Sequence, residues 1–249
     1  MLDFSYYLIV SFCILLFAIS KSGFSGGGLA LISVTVLSIT YGPITAIAIL
    51  MPMLIVCDVI AIYLNRKYYD HQVIWSMAPF SLLGVVAGTI LFKFISLSLI
   101  SIFIGSISLT YVYLNYMAKK SKIMKIPFYG NKGLWGALAG FTSFVLHSGG
   151  LPLNIYYMSV YNQKLQFVAG VVFSIALINI FKLVPYFYLD ILNIQSLLNY
   201  LLFSPVAVIG VILGHWMNSK LSDKSFFAII NFFIVVASLR LIYLGIVDL

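Results

Sequence analysis

Four groups of polar residues interrupt a chain that is otherwise apolar. Lys21-Ser-Gly-Phe-Ser-Gly-Gly-Gly28 and His147-Ser-Gly-Gly-Leu-Pro152 each break a hydrophobic stretch with a glycine run, Asn179 and Lys182 lie three residues apart in another stretch, and Asp58 interrupts a fourth. These types and spacings suit the binding of an anion. A helix that starts after a glycine run presents unpaired N–H groups and a partial positive charge, to which the Lys21 ammonium would add a full one. Gly26, Gly27 and Gly28 are the candidate donors of the first break, and Ser148, Gly149 and Gly150 those of the second. His147 opens that second break as a substrate donor or proton carrier. Pro152 preorganises the turn that follows, since proline early in a helix loses no internal hydrogen bond.

Three residues apart on a helix, Asn179 and Lys182 share a face, and Pro185 bends the chain just beyond them. Asp58 is too short to reach far, so it calls for a cation partner or a proton. Each candidate also has a plainer reading. Lys21 could sit in water if its hairpin crosses the bilayer fully, His147 could be a satisfied core residue, and Lys182 and Arg240 could extend their ammonium and guanidinium heads to the interface. Asp70 and His71, close to Arg66 and Lys67, read as a solvated charge cluster. Cys13 and Cys57 lie in apolar sequence without ligand-type neighbours, so neither a disulfide nor a metal site is expected. No catalytic set and no cofactor motif is apparent.

The elements that must hold these residues are membrane helices. Of 249 residues 63% are hydrophobic and only 8% charged, and the mean hydropathy is +1.12, which excludes a soluble domain. Glutamate is absent, and the acids are Asp3, Asp58, Asp70, Asp190, Asp223 and Asp248, too few and too scattered for carboxylate-based hydrolysis. The net charge of +8 comes from short basic loops between apolar runs, as orientation in a membrane requires, so a nucleic-acid partner is not expected. The N-terminus lacks the basic start of a secretory leader and is read as part of the fold.

Six runs are long enough to span a bilayer, at about 20 residues each: 43–63, 72–92, 97–117, 165–187, 197–216 and 225–246. Residues 5–38 and 133–161 each hold two shorter apolar stretches joined at the glycine break and read as helix hairpins, re-entrant or fully crossing. One face then collects Arg66, Lys67, Lys119, Lys120, Lys122, Lys125, Lys132, Lys164, Lys220 and Lys224, the other only Lys93 with Asp3, Asp190 and Asp248. The positive-inside rule places the basic linker 118–132 in the cytoplasm and both termini outside.

The halves repeat. Pro79, Gly84 and Gly88 recur as Pro205, Gly210 and Gly214 at an offset of 126 residues, and Gly27-Gly28-Leu29 recurs as Gly149-Gly150-Leu151 at an offset of 122. Each half is one hairpin plus three spans. An odd number of spans makes the second half enter from the opposite side, which gives inverted repeats. The expected fold is therefore a single all-α polytopic membrane domain over 1–249, with a first repeat at 5–117 and a second at 133–246. Gly84, Gly88, Gly210 and Gly214 are expected to let helices approach closely.

On these residues the chain resembles the TauE/SafE sulfite exporter family over roughly residues 15–246. The first repeat carries the Lys21–Gly28 string, Pro52 with Asp58 and Arg66, and the Pro79, Gly84, Gly88 set. The second is similar to a branch with the His147-Ser-Gly-Gly motif, Tyr156, and Asn179-Ile-Phe-Lys182-Leu-Val-Pro185-Tyr186. Two departures from the family pattern bear on the substrate more than on the fold: Ile32-Ser33-Val34 lacks a proline often found there, and Leu151-Pro152 replaces paired prolines. The resemblance implies movement of small sulfur-containing or related organic anions across the bacterial inner membrane.

The expectation is thus an anion transporter rather than an enzyme, most simply an exporter of sulfite or a related anion. Lys21, Gly26–Gly28, His147, Ser148, Gly149, Gly150, Asn179 and Lys182 would form the cradle, and Asp58 would serve coupling or charge pairing. An inside-negative potential drives anions outward by about 2.3 kcal/mol per charge per 100 mV, so export needs no coupling ion. The alternatives are a proton-coupled importer of a small carboxylate or sulfonate, a membrane-embedded enzyme acting on lipid-linked phosphate, and an assembly partner without transport. The expected partners are the anion, the lipid bilayer and, as an option, further copies of the chain.

Overall fold

The structure is a computed structural model that describes residues 4–23, 28–92, 94, 96–121 and 130–247. Gly26 and Gly27, Lys93 and most of the basic linker lie outside the described residues. The described residues form helices only: α1 (Phe4–Gly23), α2 (Gly28–Tyr41), α3 (Pro43–Asn65), α4 (His71–Leu91), α5 (Leu97–Ser121), α6 (Lys132–Leu146), α7 (Gly150–Val160), α8 (Lys164–Tyr188), α9 (Ile194–Tyr200), α10 (Ser204–Lys220) and α11 (Asp223–Val247). Short 3₁₀ turns at Arg66–Tyr68 and Leu201–Phe203 follow α3 and α9.

Among the described residues, six helical stretches are long and apolar enough to cross a membrane: Phe4–Ser22, Thr45–Tyr68, His71–Leu91, Lys164–Tyr188, Ile194–Lys220 and Asp223–Val247. The protein is a multi-pass membrane protein. Five of these coincide with spans legible in the sequence. The sixth is α1, whose 20 residues run unbroken to Gly23 and make it a full-length arm. Its hairpin is therefore lopsided, since α2 has only 14 residues; the second hairpin is short in both arms, with 15 in α6 and 11 in α7. At 1.5 Å per residue, α7 reaches about 16 Å, half of a 30 Å hydrocarbon core. Helix α5, also expected as a span, is continuous over 25 residues.

Each half donates its hairpin to the other. The most extensive packing joins α4 to α6, α1 to α10 and α5 to α11, and α3 packs on α8. Under the offsets of the sequence repeat, α1 corresponds to α6, α4 to α10, α5 to α11 and α3 to α8. The first arm of each hairpin thus lies against the next long helix after the central one of the opposite half. Small residues set these distances. A Cβ added at Gly84 would fall 2.0 Å from the Ala137 carbonyl oxygen, and one at Gly140 2.0 Å from that of Ser81, so α4 and α6 touch backbone to backbone. A Cβ added at Gly210 would fall 2.6 Å from that of Ala18 in the corresponding α1–α10 contact.

Helices α3 and α8 form the centre of the bundle. Within their apolar windows 61% and 67% of residues are buried, against 28–39% for the other candidate spans, so these two face protein where the others face lipid. Asp58, Asn179 and Lys182 belong to these central helices. Gly42, with φ of 86°, turns the chain between α2 and α3 in a conformation that disfavours a side chain.

Candidate functional site

The end of α1, the start of α2 and the turn between α6 and α7 border one small cavity between the central helices. Phe17, Lys21 and Ala30 line it from the first hairpin, Ser143, His147, Gly149 and Gly150 from the second, Leu54 from α3, and Ile175, Asn179 and Lys182 from α8. Lys21 is 4% exposed and Lys182 0%, so neither ammonium reaches water or a lipid headgroup. The snorkelling reading of Lys182 and the solvated reading of Lys21 are both set aside by this burial.

Lys21 lies in the last turn of α1, where the chain breaks, and its Nζ is 2.5 Å from Asp58 Oδ1. The second oxygen of Asp58 accepts a hydrogen bond from Asn179 Nδ2 at 2.6 Å. The carboxylate that the sequence left without a partner thus ties α1, α3 and α8 together. Charges taken out of water are tolerated only when paired and hydrogen-bonded, and this carboxylate is both.

Lys182 has a different environment. Its Nζ donates to the Ser143 carbonyl at 3.2 Å and lies 3.1 Å from Ser143 Oγ and 3.4 Å from His147 Nδ1. None of these groups is a carboxylate, and all lie at the C-terminal end of α6, where unpaired carbonyls and the negative end of the helix dipole favour a cation. Among the described residues, the one carboxylate ion pair is that of Lys21 and Asp58, so the Lys182 ammonium has no anion of its own. Tyr186, one turn on, donates to the Phe144 carbonyl at 2.7 Å and caps the same helix end.

His147 ends α6 in the left-handed conformation, with φ of 51°, which turns the chain sharply toward α7. Its Nε2 is buried and without a hydrogen-bond partner, as is Ser148 Oγ. Gly149 precedes α7 and Gly150 begins it; as the first groups of a helix their N–H donors have no intrahelical acceptor. Gly149 cannot carry a side chain, because an added Cβ would lie 2.6 Å from Ser143 Cβ and 2.7 Å from the Ala139 carbonyl oxygen. In the first hairpin Gly28 starts α2 and Ala30 reaches the cavity wall.

The structure therefore brings together Lys21, His147, Gly149, Gly150, Asn179 and Lys182, with Asp58 behind Lys21 and Asn179. Ser143 is the contributor that sequence reading missed. A signal was present, since Lys21 and Ser143 stand at the same 122-residue offset as the glycine runs. Serine in an apolar helix is too common to attract notice alone. The side readings resolve as well: Asp70 caps α4 by accepting from Val73 N at 3.2 Å, and Arg240 Nε donates to Thr35 Oγ1 at 3.1 Å across to α2. Both cysteines are free and buried, and no group of His, Cys or Asp suited to a metal occurs among the described residues.

The cavity measures about 20 Å³, room for about one water molecule. The lining groups are thus closed on one another, and any larger occupant requires them to separate.

No curated protein and no solved structure matches the chain. The model of one protein family, described as sulfite exporter TauE/SafE, matches residues 11–241, almost the whole chain, with the second hairpin, the central helices and every residue of the cavity inside the match. The chain belongs to the TauE/SafE sulfite exporter family of membrane transporters.

Proposed function

We propose that the protein exports a small sulfur-containing oxyanion, sulfite or a close relative, through the cavity between the hairpin tips. The observation that carries this reading is the fully buried Lys182, with no carboxylate among its hydrogen-bond partners, in one cavity with Lys21. Two lysines and one aspartate leave one uncompensated positive charge. A bound monoanion neutralises it, and a cation at membrane depth is stable only with such compensation.

Asp58 acts as an internal substitute for the substrate. In the closed state its oxygens occupy Lys21 and Asn179, the donors an entering oxyanion would use. Substrate entry displaces the carboxylate, the cradle closes on the new anion with Lys182 and the α7 N–H groups, and substrate loss lets Asp58 return. Return of the carboxylate resets the empty site without a coupling ion. The crossed packing of the two halves supports an inverted-repeat arrangement, in which one hairpin gates each side. The inner membrane is the proposed location, with the basic linker in the cytoplasm.

Purified protein in liposomes, loaded with sulfite, a sulfonate or a carboxylate, tests the proposal. Wild type is expected to release sulfite or the sulfonate faster under an inside-negative potential, and Lys21→Ala and Lys182→Ala to abolish the release. No flux of any of these anions, or flux that survives both substitutions, would overturn it. Proton uptake in step with carboxylate entry would instead identify an importer.

A further inference from the structure

A second and much larger hollow lies at one end of the bundle, where the ends of α3, α8 and α10 meet. It has a volume of about 430 Å³, within the range of ligand sites, and its lining includes Tyr63, Leu64, Arg66, Lys67, His215 and Asn218. None of these residues belongs to the cavity between the hairpins. Its depth in the bilayer follows from its neighbours: Tyr63, Tyr68 and Trp216 are exposed aromatic residues clustered at this end, as at the boundary between hydrocarbon and headgroups.

Three features give the hollow a ligand preference. First, its cations are free of carboxylates among the described residues. The Arg66 guanidinium is held 3.9 Å over the Tyr63 ring, with Nη1 donating to the Tyr63 carbonyl at 2.7 Å, which leaves its other N–H groups available. Second, Asn218 is 3% exposed, yet its Oδ1 has no hydrogen-bond partner, and neither has the buried His215 Nδ1. Unpaired polar atoms in such a place call for a ligand that can donate hydrogen bonds. Third, the Asn218 backbone is fixed independently, because Lys164 Nζ donates to its carbonyl at 2.8 Å and also to that of Leu221. The arrangement is preformed.

We propose that this hollow is a binding site for the headgroup of an anionic phospholipid bearing hydroxyl groups. The phosphate lies against Arg66 and Lys67, a headgroup hydroxyl donates to Asn218 Oδ1, and the start of the acyl chains covers Tyr63 and Leu64. Positive charge alone, which orients every such protein, would leave no buried acceptor unpaired.

Native mass spectrometry of the protein in detergent, titrated with phosphatidylglycerol or with phosphatidylcholine of identical chains, tests the site. Phosphatidylglycerol is expected to bind roughly 25-fold more tightly through charge, since each of two interfacial cations contributes about fivefold, and severalfold more again through its hydroxyl. Arg66→Gln with Lys67→Gln should cut the preference to the severalfold share of the headgroup hydroxyl, while Lys220→Gln with Lys224→Gln, an equal loss of charge at the same end, should keep most of the preference. Asn218→Ala should weaken phosphatidylglycerol severalfold and leave phosphatidylcholine unchanged. If the Arg66 and Lys67 double variant fails to fold, Lys67→Gln alone should lose about fivefold. Equal binding of the two lipids, or an equal loss in both double variants, overturns the proposal. So does competition by glycerol 3-phosphate at concentrations equal to those of the lipid, which would mark a site for a free phosphate.

Discussion

Asp58→Asn separates the internal-anion mechanism from a purely structural ion pair. In the wild type Asp58 is 5% exposed, with Lys21 Nζ at 2.5 Å from one oxygen and Asn179 Nδ2 at 2.6 Å from the other. The amide keeps the shape and removes the charge, which leaves the Lys21 ammonium buried and unpaired. Breaking a buried pair in this way costs about 3–5 kcal/mol. A bound anion can repay that cost in the variant, whereas in the wild type it must first displace the carboxylate. The variant should therefore melt well below wild type without anions and regain most of the difference in saturating sulfite. Its affinity for sulfite should rise by about 1.4 kcal/mol or more, a factor of at least about ten, while its turnover falls because no carboxylate resets the site. Lys21→Met with Asp58→Asn should recover stability without sulfite, because no buried charge of the pair is left unpaired, and should not respond to sulfite. Thermal melting by intrinsic fluorescence across a sulfite titration, together with liposome flux, gives every quantity. The mechanism is refuted if Asp58→Asn is as stable as wild type without anions, or if its affinity for sulfite is unchanged or weaker.

Three further outcomes follow from the same geometry. Lys182→Gln should lower anion affinity by about 1.5–3 kcal/mol, the scale of hydrogen bonds to charged groups, measured by isothermal titration, and a variant that binds as wild type would leave Lys182 a cap for α6 alone. Tyr186→Phe leaves the Phe144 carbonyl without its donor and should cost about 1–3 kcal/mol of stability, visible as a lower melting temperature with flux retained at low temperature. Gly84→Ala drives a methyl into the Ala137 carbonyl, 2.0 Å from the added Cβ, and should cost 1–3 kcal/mol or more. Gly133→Ala, whose nearest atom is the Asn131 side-chain oxygen at 3.3 Å, should melt close to wild type.

Composition and periodicity alone determined that this is a helical membrane protein. An apolar run of about 20 residues has one stable form in hydrocarbon, because every backbone polar group must be satisfied within the segment. For the same reason the breaks at Gly28 and at His147–Gly150 were legible as places where protein or ligand must supply hydrogen bonds. The offsets of the repeated glycines and prolines marked the helices that correspond, and Gly84 and Gly210 were legible as contact residues because only a missing Cβ permits such closeness. The reach of α1 was not legible, since Lys21 and Ser20 near its end made a long arm look like a short one.

The partnerships were decided by the tertiary structure. Lys21 and Asp58 are 37 positions apart, and Asn179 is 121 from Asp58; no local pattern encodes which cation a buried carboxylate meets. Sequence required only that Asp58 find some compensation, and Lys21, Lys182 and Arg240 were all eligible. The crossing of the hairpins chose Lys21, gave Lys182 the end of α6, and sent Arg240 to Thr35. Closure was decided at the same level: a void of about 20 Å³ exists because side chains from both hairpins and both central helices converge there. Local sequence specifies what each helix must bury, and the distances between chemically complementary groups arise only when separate helices pack.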